Sequence, residues 1–271
     1  MVDPAPGACV RSHVNAGYCR AVRFLLSRRW VLFAAAVVVL AYGCYLLGRW
    51  QFHRLDDREA TNAQTRANLS ASPAPVDDVL AAGRPVGDRD EWRRVTATGT
   101  YLPDSSVVVR YQTREGSSGV DVVTPLRTAA GPSLLVDRGW LATGNTGLDS
   151  VDAPPPPSGR VTVVGWVRAD ATGSSTRVED RSTRAISSAA IGKALDLPVY
   201  GGFVDALKET PPPTKRLVPV DKPDLGNGPH FFYGLQWWFF GVLAVVGFGY
   251  LAWDERRKLR APTPPADSPT G

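Results

Sequence analysis

A chain of 271 residues, 44% hydrophobic and 21% charged, is ordinary for a folded protein of one or two domains. Its formal charge of +5 divides as +4 over residues 1–29, 0 over 49–229 and +1 over 254–271, so the basic excess flanks two apolar runs and does not imply a nucleic-acid partner. The three cysteines are Cys9, Cys19 and Cys44, which excludes a disulfide framework, a CxxC redox pair or a thiolate metal site from everything after residue 44.

In chain order, residues 1–29 form a basic leader with five Arg against one Asp. Val31 to Gly48 is 18 residues without a charge, and Phe231 to Trp253 is 23. As helices these reach roughly 27 and 34 Å, which matches a hydrocarbon core of about 30 Å. The sequence therefore predicts membrane-spanning helices over 30–48 and 230–253. Trp30, Trp50 and Trp253 sit at their limits, where amphipathic rings prefer the headgroup zone. A cleaved signal peptide is disfavoured at the first run, because Leu47, Gly48, Arg49 and Trp50 offer no small-x-small exit. Cys44 reads as a small apolar residue. Basic residues on both outer flanks place the two termini in the cytoplasm and residues 49–229 outside it. An Arg-rich start also fits a mitochondrial presequence, but 26 Arg against 5 Lys, with abundant Ala, Val and Gly, favours a high-GC bacterium and its plasma membrane.

Trp50 to Leu69 lacks Gly and Pro and extends the first span as a helix, broken by Pro73 and Pro75. Strands are expected over Val95–Tyr101, Ser106–Tyr111, Gly119–Leu126, Ser133–Arg138, Val161–Ala169 and Val199–Leu207, and a short helix over Ala185–Leu195, stopped by Asp196, Leu197 and Pro198. Pro154–Pro157 and Pro211–Pro213 are stiff spacers. The fold class is thus a membrane protein of α+β type, two transmembrane helices flanking a mainly antiparallel β-rich extracytoplasmic domain with one or two short helices, and a tail at 254–271.

Five strings occur in order along this frame: Gly48-Arg49-Trp50-Gln51 with Arg54, TGTY at 98–101, GVDVVTPL at 119–126, LLVDRGWL at 134–141 and NGPHFFYGLQWWF at 227–239. Together, over residues 30 to 253, they resemble the signatures of the surfeit locus protein 1 family of cytochrome c oxidase assembly factors. The sequence departs from that pattern in its leader, in the Gly-Asn-Gly-Pro approach to His230 and over residues 170–220. The resemblance implies a non-enzymatic role in which transient contact assists insertion of haem a into subunit I of an aa3-type oxidase, with haem a synthase as a further partner. It also implies that His230 contacts the haem.

The residues themselves allow that reading. Of His13, His53 and His230, none lies between 54 and 229, so imidazole chemistry outside the membrane is chemistry beside a span. Pro229 suits a first helical turn, which starts the second helix at His230. Tyr233, Gly234 and Trp237 then share its face: a possible iron ligand, a polar ring, a gap and a flat surface. Arg49 and Arg54, at the matching end of the first span, are candidate clamps for haem propionates, against a bland role snorkelling to lipid phosphate. His53 is a weaker candidate ligand. The string Asp137-Arg138-Gly139-Trp140 reads as structural, a strand end where Gly139 takes a conformation or close approach a larger residue could not and Trp140 packs in the core or against a partner. An enzyme is disfavoured, since a G-x-S-x-G elbow, a Ser-x-x-Lys pair and a P-loop are all lacking and no catalytic residue is assigned. The rival is a membrane scaffold that binds oxidase subunits without touching haem.

Overall fold

The computed structural model describes residues 23–143 and 152–260. Most of the basic leader, with Cys9, His13 and Cys19, and the tail from 261 onward lie outside the described residues. In chain order the elements are α1 (Arg28–Ser70), β1 (Ala74–Pro75), α2 (Val76–Val79), β2 (Arg94–Tyr101), β3 (Val107–Arg114), β4 (Ser117–Thr128), β5 (Ser133–Ala142), β6 (Val161–Arg168), β7 (Ser182–Thr183), α3 (Ser188–Leu195), β8 (Phe203–Thr210) and α4 (His230–Arg260). They fall into two compact units, residues 1–59 with 227–271, and residues 60–226.

The first unit is a helix pair. Both α1 and α4 are long and apolar enough to cross a membrane. Trp30 and Phe33 meet Phe248, Cys44 meets Gly241, Gly48 meets Trp238, and Phe52 meets Gly234, so the helices run antiparallel. Small residues set this approach: a Cβ on Gly48 would lie 2.2 Å from Trp238 Nε1, and one on Gly234 2.7 Å from the Phe52 ring. Gly43, Gly247 and Gly249 meet no neighbour, so only part of the small-residue pattern is used. Cys44 is buried in the seam, as a small apolar residue would be.

In the second unit β2, β6, β8, β5 and β4 pair in a closed ring, with β1 added to β2 and β3 and β7 added beyond β4. Period-two alternation divides the side chains. Leu134 and Val136 of β5 join Val95, Ala97, Leu126, Val161 and Val163 in one core. Leu135 faces the other way, packing with Val107, Val109, Val123, Ile191 and Phe203 beneath α3. Five pairings are antiparallel as expected, but β5–β8, β1–β2 and β3–β7 are parallel.

Three of the boundaries that differ from the sequence reading have a local cause. β5 does not end at Arg138; it continues to Ala142 in register with β4 as far as Gly119, and Gly139, at φ 121°, lets the Val218 backbone bridge to Trp140 as well. The helix expected from Ala185 begins at Ser188, since the Ser187 side chain caps it by accepting from the Ala190 N–H. The strand expected from Val199 begins at Phe203: Gly201 is pinched against the Arg84 carbonyl, which a Cβ would meet at 1.9 Å. Residues 60–70 of α1 belong to this unit, where Asn68 donates to the carbonyls of Arg89 and Glu91, both at 2.8 Å.

Candidate functional site

His230 is the first residue of α4, and the Pro229 carbonyl accepts from the Tyr233 N–H at 3.1 Å, which places proline at the helix entry as its fixed φ favours. Gly228 turns the chain into the helix at φ 65°. Beside it, Asn227 donates to Glu59 at 3.0 Å. His230 Nδ1 lies 2.9 Å from Gln51 Oε1 on α1. An amide oxygen only accepts, so a neutral imidazole in this pairing donates from Nδ1 and keeps its Nε2 lone pair for a ligand. This is the imidazole form that binds metals, oriented by a hydrogen bond at its other nitrogen.

The remaining expected residues distribute unevenly around this imidazole. Tyr233 is exposed and Trp237 half-buried, edge-on to Phe240 at 6.2 Å. The gap expected at Gly234 is filled by the Phe52 ring, because Gly234 turns toward α1. Arg49 and Arg54 are both exposed, each stacked along its own helix, on Tyr45 and Trp50 respectively. Five helical residues separate them, roughly 140° of rotation, so they occupy opposite flanks of α1. Arg54 lies one turn beyond Gln51 and shares the flank that meets His230. Arg49 falls on the flank of Tyr45 and Trp238, away from the imidazole. His53, exposed, is rotated off the face that Gly48 and Phe52 present to α4. Gln51 itself was legible only as part of a motif; its partnership with a residue 179 positions away has no local signal.

In the second unit, the Asp137 to Trp140 string is built into the barrel. Asp137, 3% exposed, accepts from the Gly139 N–H at 2.9 Å. Arg138 donates to the carbonyls of Pro154 and Pro155, at 2.9 and 3.2 Å, and pairs with Glu209 at 3.6 Å, so the proline run is fastened to the barrel. Glu209 accepts from Tyr101 at 2.5 Å, and burial together with that carboxylate pushes the Tyr101 hydroxyl far above its ordinary range. The Trp140 indole donates to the Gln112 carbonyl at 2.8 Å and covers Gly119. Among the described residues, no group of His, Cys, Asp or Glu is arranged to hold a metal ion.

A closed β-ring placed in the chain between two helices long and apolar enough to cross a membrane, with a hydrogen-bonded imidazole at the entry of the second helix, defines the class of protein. A model of the SURF1 family matches residues 38–242. An uncharacterized SURF1-like protein of Mycobacterium bovis is 32% identical over 255 residues, 91% of this chain and 93% of that protein. A SURF1-like protein of Monosiga brevicollis is 33% identical over 154 residues, 51% of each chain. The cytochrome oxidase assembly protein SHY1 of Saccharomyces cerevisiae is 27% identical over 107 residues, 39% of this chain and 27% of that protein. The chain belongs to the SURF1 family.

Proposed function

We propose that this protein is a non-catalytic assembly factor for an aa3-type cytochrome c oxidase, anchored in the bacterial cell membrane by α1 and α4 with both termini cytoplasmic. It assists insertion of haem a into subunit I by holding the haem transiently at His230, taking it from haem a synthase. Family membership and the name of the yeast relative support the assembly role. The haem contact rests on one observation: Gln51 occupies His230 Nδ1 and so presents Nε2 to a ligand at the helix entry.

Haem propionates need cations, and Arg54, on the flank of Gln51, is the better placed of the two arginines. The test is the haem content of protein purified in detergent from cells that make haem a. Wild type carries a Soret band. His230→Ala loses most of it, Gln51→Ala and Arg54→Gln lose part, and Arg49→Gln and His53→Ala keep it. Undiminished haem in His230→Ala discards the contact, leaving a scaffold for oxidase subunits; unchanged haem a in membranes of a deletion strain discards the assembly role as well.

A further inference from the structure

The second unit carries a cationic pocket that the haem reading does not use. The parallel register of β3 and β7 sets Val109 beside Thr183, so that Arg110 and Arg184 follow side by side from two segments about 70 residues apart. At that point β3 is bulged, its pairing with β4 breaking between Val109 and Gln112. Tyr111 sits in the bulge at φ 63°, a conformation disfavoured for an aromatic residue, and is 69% exposed. Bulges of this kind re-aim side chains. Here the Tyr111 ring is turned outward between two guanidiniums, Arg184 at 5.1 Å and Arg110 at 5.9 Å from its centroid. The turn Ser174–Thr176 is held alongside by the Arg184 N–H and the Thr183 hydroxyl, both donating to the Ser175 carbonyl. Arg110, Tyr111, Ser174, Arg177, Glu179 and Arg184 thereby line a pocket of about 390 Å³. Arg110 Nε is buried without a hydrogen-bond partner.

We propose that this pocket binds carboxylates of an acidic polypeptide segment on a partner protein. Three guanidiniums against one carboxylate leave two positive charges in excess. Both Arg110 and Arg184 lie over the Tyr111 ring, and a planar guanidinium is suited to bidentate carboxylate pairing. Glu179, 3.8 Å from Arg177, already supplies a carboxylate of the kind the pocket accepts. The same glutamate lowers the excess positive charge of the pocket, so removing it strengthens the attraction for an anion. The site is independent of the haem proposal and stands or falls separately.

The experiment uses the full chain in neutral detergent and a fluorescent peptide of alternating Asp and Glu, read by anisotropy. Binding is expected to weaken with salt and to vanish for the Asn and Gln counterpart of the peptide. Arg110→Gln with Arg184→Gln weakens it by roughly tenfold or more. Glu179→Gln tightens it, an effect of opposite sign that misfolding could not produce. Binding that survives the double arginine change, or that Glu179→Gln leaves unaltered, overturns the proposal. So does displacement of the peptide by inorganic phosphate at concentrations where acetate has no effect, or transfer of binding to anionic vesicles.

Discussion

Asp137, Asp121 and Asp205 occupy one face of three adjacent strands, paired there with Arg114 and Arg168. Arg114 reaches Asp121 at 2.9 Å and Arg168 reaches Asp205 at 2.9 Å, which among the described residues leaves Asp137 without a cation of its own. Burial raises all three carboxyls above their ordinary range. For Asp205 burial is opposed by Arg168, and the result is pushed up to about 6. For Asp137 burial is reinforced by the charges of Asp121 and Asp205, and its shift is upward too. A carboxyl raised on folding binds its proton more tightly in the native state. The stability it contributes is complete below the unfolded value near 4 and is lost as pH climbs through the folded value. The Asp205 shift corresponds to up to about 3 kcal/mol. The protein is therefore expected to unfold at a higher temperature at pH 5 than at pH 8. Asp137→Asn keeps the acceptor for the Gly139 N–H, removes one titrating group, and should raise the melting temperature at pH 8 while leaving pH 5 nearly unchanged. A variant whose melting temperature falls equally at both values would show that the carboxyl is ionised and paired in the native state.

At the level of elements, the helix seam depends on residues that have almost no side chain. A Cβ built on Gly241 lies 3.3 Å from Cys44 Cβ, near the separation that a disulfide spans. With Cys9 and Cys19 changed to serine, Gly241→Cys should cross-link to Cys44 under a membrane-permeant oxidant, seen as a mobility change reversed by reductant. Adding Gly48→Leu places a side chain where the Trp238 indole now lies and should cut the yield several-fold by parting the helices. Equal yields in the two backgrounds would mean that the seam is not set at Gly48. Both helices were visible in the sequence because an uncharged run needs no partner to be recognised; β2 was visible through alternation, and β4 and β6 as short β-rich runs bounded by Gly, Pro or Ser. Pairings were not. β5 beside β8 and β3 beside β7 join strands far apart in the chain, and nothing local in Val136 or Val109 names Val204 or Thr183. The same blindness hid the arginine pocket, whose two halves meet only through the β3–β7 register. Gly139 was recognisable as a close-approach glycine, but the Val218 backbone that it admits was not.

For the whole molecule, the antiparallel seam constrains topology before any charge is counted. Trp30, near the start of α1, lies against Phe248, late in α4, with ring centroids 5.8 Å apart. If both helices cross one bilayer, the residues before α1 and those after α4 emerge on the same side, and the polypeptide between Gly48 and His230 on the other. Charge then chooses the side. Four net positive charges precede the first span, and Arg256, Arg257, Lys258 and Arg260 follow the second, whereas the intervening residues are neutral overall. In a background with Cys9 and Cys19 replaced by serine, Ser118→Cys, on an exposed stretch of β4, should react with an impermeant maleimide in cells whose outer layers are opened but whose plasma membrane is intact. Leu259→Cys, exposed near the end of α4, should react only after the plasma membrane is permeabilised. The reverse pattern would put the β-ring and the entry of α4 in the cytoplasm and remove His230 from the face where the proposal needs it. Labelling of both before permeabilisation would mean that α1 and α4 do not cross together, contradicting the seam itself.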